Sequence, residues 1–340
     1  MNRDMVSAVQ NPWSDRTVGG HGAGRAPEPF VKWAGGKSQL LKVFNMLYPR
    51  EFKTYYEPFL GGGAVFFDLY AKGKISRAVL SDLNTDLMNL WAAIRENVDE
   101  LINQLETLRK KVNDRVFYYE KRKEFNSIKL HKNFLDEPDI RKASLLIFLN
   151  KTCYNGLYRV NAKGEFNVPF GRYRNPQLFN EENLRAVHQA LKDRNRIKLL
   201  CTDFQDAVKD AEKGDFIYFD PPYQPLGKTA NFTEYTAGGF GPDEQKRLAE
   251  VFRNMDERGC FLMLSNSSKR EVLEPLYKPY FEKGYVLEVK AARAISSIGS
   301  KRGPIKEFVI MNYEPNQCQT LRGFLKLKQV DFLNKRDICG

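Results

Sequence analysis

The amino-acid sequence predicts an α/β fold whose sheet is interrupted by an inserted lobe. Three observations carry that reading. Residues 55–82 run strand candidate, glycine turn, helix, strand and terminal acid, the grammar of a nucleotide-binding βαβ unit. Strand-like runs return at 198–201, 215–219, 260–264, 285–290 and 306–312. Between the two sets, from about 90 to 195, the chain is helical and charged, then polar, basic and dotted with glycine.

In chain order, residues 1–27 are rich in Gly, Pro, Ser and Asn with little periodicity, and read as a disordered or weakly ordered extension. The texture changes at Phe30. Lys32-Trp33-Ala34-Gly35-Gly36-Lys37-Ser38 leads into apolar residues at Leu40, Leu41, Phe44 and Leu47, a helical spacing. Gly36-Lys37-Ser38 ends like a phosphate loop, but the motif's first glycine would fall on Val31, which argues against ATP binding. Taken singly, Trp33 reads as a core aromatic and Lys37 as a solvated helix residue. Tyr55 to Phe59 is a strand candidate running into Leu60-Gly61-Gly62-Gly63-Ala64, and a helix follows through Tyr70. Contiguous glycines let the backbone pass close under a ligand without a Cβ collision. Ala78 to Leu80 is the next strand. It ends at Ser81-Asp82, where an acid commonly bonds ribose hydroxyls. Thr85 to Glu120 is long and helical, Leu145 to Asn150 closes another helix, and a helix near 180–193 returns the chain to strand texture before Asp203-Phe204.

The most informative stretch is Asp215-Phe216-Ile217-Tyr218-Phe219-Asp220-Pro221-Pro222-Tyr223. Four β-formers in a row suit a strand buried on both faces, and Pro221 cannot donate to a continuing ladder, so the strand stops at Asp220. Ligands of open α/β sheets bind just beyond such carboxyl ends. Proline fixes its own φ and restricts the residue before it, which stiffens Asp220 and Pro221 and aims a carbonyl. An acceptor, an exposed carbonyl and the Tyr223 ring at one strand end form a grip for a flat base bearing an exocyclic amine. Asp-Pro-Pro alone would be an ordinary proline turn.

With 340 residues the chain exceeds one ordinary domain. Its 54 Lys plus Arg against 42 Asp plus Glu give a formal charge of +12, which favours polyanionic partners. Five scattered cysteines without a CxxC pair, and His21, His131 and His188 far apart, indicate neither a disulfide framework nor a metal site. No apolar run of 18 residues and no secretory signal is readable, so the expected compartment is the cytoplasm, nucleoid-associated when on DNA, with no membrane partner.

Together these pieces resemble the Dam-like DNA adenine-N6 methyltransferases, in which a target-recognition domain is inserted before the Asp-Pro-Pro-Tyr motif. The matching elements are Lys32 to Lys37, Pro58-Phe59-Leu60-Gly61-Gly62-Gly63, Asp82, Asp203-Phe204, Asp220 to Tyr223, and the pair of segments Asn155 to Asn161 and Gly164 to Gly171, with Ser265-Asn266 a fainter match. The resemblance implies a Rossmann-like seven-stranded methyltransferase sheet that binds S-adenosylmethionine, with an inserted helical and β-hairpin domain that reads DNA. By position, Trp33 and Lys37 would anchor the methionine end of the cofactor over Phe59, Gly61 and Gly63. Asp82 would bind its ribose, and Asp203 and Phe204 its adenine. Asp220 would face both cofactor and base, and Asp220, Pro221, Pro222 and Tyr223 would be catalytic. The implied division is an extension at 1–27, a catalytic domain at 28–90 and 196–315, a recognition domain at 91–195 and a tail at 316–340.

Residues 151–175 carry Lys151, Arg159, Lys163, Arg172 and Arg174 among aromatics and glycines, which reads as a β-hairpin with its turn at Gly164. On the resemblance, Asn155, Arg159, Asn161, Lys163 and Arg172 bind double-stranded DNA, with Arg159 able to make a bidentate contact to guanine and GATC the leading site. Any single basic residue here is equally a phosphate contact or a solvated side chain. The enzyme is expected to be a monomer or weak dimer and to use no metal. The alternatives are an RNA or cytosine-N4 amino-methyltransferase and a non-catalytic DNA-binding regulator on the same scaffold. Asp rather than Ser or Asn before Pro-Pro, and intact Asp82 and Asp220 to Tyr223, favour a catalytic adenine methyltransferase.

Overall fold

The structure is a computed structural model that describes residues 25–222, 240–267, 269–291, 305–315 and 331–332. Tyr223, residues 1–24 of the extension and most of the 316–340 tail lie outside the described residues. Five parallel strands form the first part of the sheet: β1 (Thr54–Glu57), β2 (Arg77–Ser81), β3 (Ile197–Leu200), β4 (Phe216–Phe219) and β5 (Phe261–Asn266). Two more complete it, β6 (Val286–Ala291) and β7 (Ile305–Met311). The order is β3-β2-β1-β4-β5-β7-β6, with the two-residue β8 (Asp331–Phe332) at the β6 edge. β7 lies antiparallel between β5 and β6. The seven-stranded Rossmann-like sheet is thus present. Its order reverses between β1 and β4, so the crevice at their carboxyl ends is the topological switch point.

Two apolar layers bury the sheet. Successive strand residues point to opposite faces, so Phe216 and Tyr218 join the core on one face while Ile217 and Phe219 join that on the other. The first layer includes α1 (Leu41–Leu47), α2 (Ala64–Ala71), α3 (Thr85–Arg109), α5 (Ile140–Thr152) and α6 (Glu181–Leu191). The second includes α8 (Pro242–Glu257), α9 (Arg270–Leu276) and α10 (Lys278–Glu282). Trp91 of α3 is fully buried between Phe30 and Phe67. Burying one such side chain contributes about 1.5–3 kcal/mol.

Local chemistry sets the helix ends. Asn84 Oδ1 accepts from the Leu87 N–H at 2.9 Å, and Asp139 and Asn180 cap α5 and α6 the same way. The helical stretch expected over 85–120 is divided at 110–114, because Asp114 Oδ1 accepts from the Phe117 N–H and starts α4 (Arg115–Ser127). The strand expected through Phe59 stops at Glu57, before Pro58. The hairpin expected over 151–175 is not a regular ladder. It is held by two isolated antiparallel bridges, Cys153 with Phe170 and Val160 with Phe166. Its backbone turns too sharply at Tyr154 to Gly156, a single 3-10 turn, for pairing to continue. Among the described residues no helix is long and apolar enough to cross a membrane.

Candidate active site

The loop after β1 is built around Glu57. Its Oε2 accepts from the Tyr55 hydroxyl at 2.8 Å and from the Phe66 N–H in the first turn of α2 at 3.1 Å, fixing where the loop leaves the strand and where the helix begins. Burial pushes this carboxyl well above its ordinary range, and the two hydrogen bonds oppose that. Between these points Gly61 and Gly63 both take positive φ, 50° and 68°. A Cβ on Gly61 would stand 2.9 Å from Trp33 Cδ1, and one on Gly63 would stand 2.6 Å from Trp91 Cη2. The loop therefore passes directly beneath Trp33 and against Trp91, a close approach that only glycine permits.

Asp82, at the tip of β2, ties that loop down: Oδ2 accepts from the Gly61 N–H at 2.9 Å and Oδ1 from the Asn84 N–H at 3.0 Å. Burial raises its pKa against those bonds. On the other side of the loop Phe59 stacks on Phe204, with centroids 5.3 Å apart. Asp203 caps α7 (Phe204–Ala207) through the Gln205 N–H and accepts from Arg247 Nη1 and Nη2, at 2.7 and 2.8 Å. Burial works to raise the Asp203 pKa, but the Arg247 pair and the backbone bonds outweigh it and hold it low. The same guanidinium lies 4.3 Å over the Phe204 ring, so Phe204 is covered by Phe59 and Arg247.

The centre of the site is a lysine shared by two carboxylates. Lys37 Nζ donates to the Gly35 carbonyl at 2.8 Å and to Asp220 Oδ1 at 2.6 Å, and lies 3.3 Å from Glu307 Oε1. Side-chain exposures of 3% for Lys37, 18% for Asp220 and 2% for Glu307 place the cluster in the protein interior with only Asp220 reaching outward. Desolvation pushes Asp220 up to about 6; Lys37 pulls it down and Glu307 pushes it up. Pro221 is buried and Pro222 partly so, as expected of a stiff corner. The structure thus brings together Trp33, Lys37, Phe59, Gly61, Gly63, Asp82 and Asp220 at the switch point, with Asp203 and Phe204 at its flank. Tyr223 lies outside the described residues.

The residues expected to contact DNA stand on a separate loop that touches this site. The Tyr158 ring packs at a tilt against Trp33, with centroids 5.1 Å apart, and the buried Asn150 at the end of α5 ties together the two segments that carry them. Its Oδ1 accepts from the Lys32 N–H at 2.8 Å, and its amide donates to the Lys32 carbonyl at 2.8 Å and the Gly156 carbonyl at 3.1 Å. Asn155 sits at φ 55° in the 3-10 turn. Arg159 Nε donates to Asn167 Oδ1 at 2.6 Å across the loop. Asn161 is occupied within the turn: its Oδ1 accepts from the Lys163 and Glu165 N–H groups and its amide donates to Glu165. Lys163 and Arg172 are exposed. Sequence reasoning missed Asn150, Glu57 and Glu307. A polar residue closing the apolar run Leu145-Leu146-Ile147-Phe148-Leu149 was the available signal for Asn150.

Residues 33–295 match the family model of the D12 class N6 adenine-specific DNA methyltransferases. The chain is 46% identical over 300 residues to the Type II methyltransferase M.MjaIII of Methanocaldococcus jannaschii, spanning 84% of this chain and 99% of that one. It is 39% identical over 285 residues to the Type II methyltransferase M1.LlaDCHI of Lactococcus lactis subsp. cremoris, with coverage of 84% and 95%. The DNA adenine methylase of Escherichia coli is 35% identical over 287 residues, with coverage of 84% and 95%.

Proposed function

The chain belongs to the D12 class N6 adenine-specific DNA methyltransferases, and on that premise we propose that it takes its methyl group from S-adenosylmethionine and delivers it to the adenine of GATC in double-stranded DNA. The observation that carries most weight is the Lys37 to Asp220 bond, which joins the lip at 32–37 to the acidic corner after β4. Gly61 lies so close to the Trp33 indole that a Cβ would stand 2.9 Å from Cδ1, and the side-chain-free backbone this requires is what a donor lying along the loop would need. Trp33, Lys37, Phe59, Gly61 and Gly63 would hold its methionine end, Asp82 its ribose, and Asp203 with Phe204 its adenine once Arg247 yields the ring face. Bound there, the donor supplies an electrophilic sulfonium methyl.

The chain's own residues do the rest. Adenine N6 is a poor nucleophile because its lone pair is delocalised into the ring. Asp220, through the oxygen that Lys37 does not hold, and the Pro221 carbonyl accept the two N–H bonds, letting the nitrogen move toward tetrahedral geometry and aim its lone pair at the methyl. Positioning and preorganised electrostatics supply the rate, several kcal/mol each. A base inside a duplex is unreachable, so it must be extruded, and Tyr223 stacks on it. Stacking of about 1–3 kcal/mol offsets much of the unstacking cost. Asn155, Arg159, Asn161, Lys163 and Arg172 engage the DNA, and residues 91–195 form the recognition domain between the two parts of the catalytic domain, 28–90 and 196–315. We place the enzyme in the cytoplasm as a monomer or weak dimer.

Plasmid DNA incubated with labelled S-adenosylmethionine and cut with methylation-sensitive nucleases tests this reading. Label in DNA with GATC protected is the expected result. Label in RNA alone, or protection at an unrelated sequence, overturns the substrate or site assignment.

A further inference from the structure

Glu307 lies on β7, two strands from Asp220, yet reaches the same lysine. Side chains alternate along a strand, so Glu307 shares the face of Val309 and Met311, the one on which Tyr218 also packs. With a side-chain exposure of 2% it is among the least solvated carboxylates of the described residues, and its Oε1 approaches Lys37 Nζ at 3.3 Å while Asp220 Oδ1 binds the same nitrogen at 2.6 Å. A buried carboxylate is costly unless it is paired. One lysine cannot neutralise two, and a strand-forming apolar residue would have filled this position in β7 without that cost.

From this geometry we propose that Glu307 is a positioning residue for methyl transfer, which shares Lys37 with Asp220 and so sets how strongly Asp220 holds a proton and how freely it accepts the substrate amine. With Glu307 present, the Lys37 charge is divided, and Asp220 keeps enough basicity to accept an N–H bond. Without it, Lys37 loses one of the carboxylates that share it, and Asp220 becomes a weaker acceptor. The groups facing Asp220 act in opposite directions, as the sharing of one lysine requires. Lys37 pulls its pKa down, while Glu307 from β7 pushes it up beyond the effect of burial. Glu57 from β1 and Tyr218 from β4 complete the surroundings, and both sense the Asp220 charge. Their hydroxyl and carboxylate are already engaged, Glu57 by Tyr55 and Phe66, and Tyr218 with Ser265. The proposal rests on the reading of Asp220 as the amine acceptor.

The test follows the Asp220 carboxyl directly by carbon NMR in protein labelled at aspartate, its resonance identified by its loss in Asp220→Asn, alongside the pH dependence of single-turnover methylation. In Glu307→Gln, which keeps shape and removes charge, the Asp220 midpoint should move down from about 6 by roughly one pH unit. The acid limb of the rate profile should move with it, and the plateau rate should fall about tenfold with donor and DNA affinities within about twofold. Glu307→Asp, which restores a carboxylate, should return the midpoint part of the way. An unmoved Asp220 midpoint in a folded Glu307→Gln protein overturns the proposal, as does equal behaviour of the Gln and Asp variants. Should Glu307→Gln not fold, Glu307→Asp carries the test alone, an Asp220 midpoint unchanged from wild type then being the contrary result. Full turnover by Asp220→Asn would instead overturn the underlying reading, whatever the NMR shows.

Discussion

At the scale of single residues, Asp220 is held in a state that costs stability. Its folded pKa of about 6 exceeds the ordinary value of 3.8 because burial disfavours the charge. For a carboxyl raised in this way, the stabilising form is the protonated one. Its contribution is complete below pH 4 and is lost as pH rises through about 6. Asp220→Asn, which mimics the protonated form, should therefore be more stable than wild type at pH 7.5, by about 3 kcal/mol at most from a difference of about two pH units. The advantage should vanish near pH 4. Thermal unfolding at the two pH values checks it, and a destabilised variant at pH 7.5 would contradict the assignment. The Asp-Pro-Pro motif made this residue legible in the sequence. Its bond to Lys37, 183 positions away, was not, because linear order carries no distance information. Glu307 was less legible still: within a strand of alternating character a glutamate reads as an outward-facing polar residue, and only the buried lysine opposite shows otherwise.

At the scale of elements, the glycine loop and the 151–175 loop proposed to read DNA are joined parts. Gly63→Ala places a side chain at φ 68° with its Cβ 2.6 Å from Trp91. The strain alone costs roughly 1–3 kcal/mol, and the fully buried ring has no room to withdraw. Chemical denaturation should show at least that loss, and an unchanged midpoint would mean the loop does not pack as described. Asn150→Leu should cost more than that, since the Lys32 N–H and two carbonyls lose a partner at roughly 1–3 kcal/mol for each group left unsatisfied. The βαβ unit was legible because its glycines, apolar run and terminal acid are local signals. The recognition loop was read as a hairpin from its turn glycine and basic residues. In the structure Asn161 organises that turn, and pairing is confined to two bridges. Composition announced a turn but not how far the pairing extends.

At the scale of the whole molecule, a charge of +12 and a basic loop beside the switch point fit a polyanionic substrate. Affinity for duplex DNA should fall steeply and linearly in log–log form as salt rises. Lys163→Ala should reduce that slope by about one without altering sequence preference, whereas Arg159→Ala should leave the slope and relax the preference. Fluorescence anisotropy over a salt series distinguishes them, and identical behaviour of the two variants would contradict the division of roles. The α/β class and the positions of all seven main strands were readable from periodicity. The sheet order was not. Placing β7 between β5 and β6 depends on which edges meet in three dimensions, and that partnership puts Glu307 within reach of Lys37.

The most direct measurement is single-turnover transfer from labelled S-adenosylmethionine to a duplex oligonucleotide containing one GATC, with nucleoside mass spectrometry of the product for wild type and Asp220→Asn at matched DNA occupancy. The expected outcome is N6-methyladenine from wild type and at least a ~100-fold slower transfer from the variant. Label on cytosine, or equal rates from the two proteins, would contradict the central role given to the acidic corner.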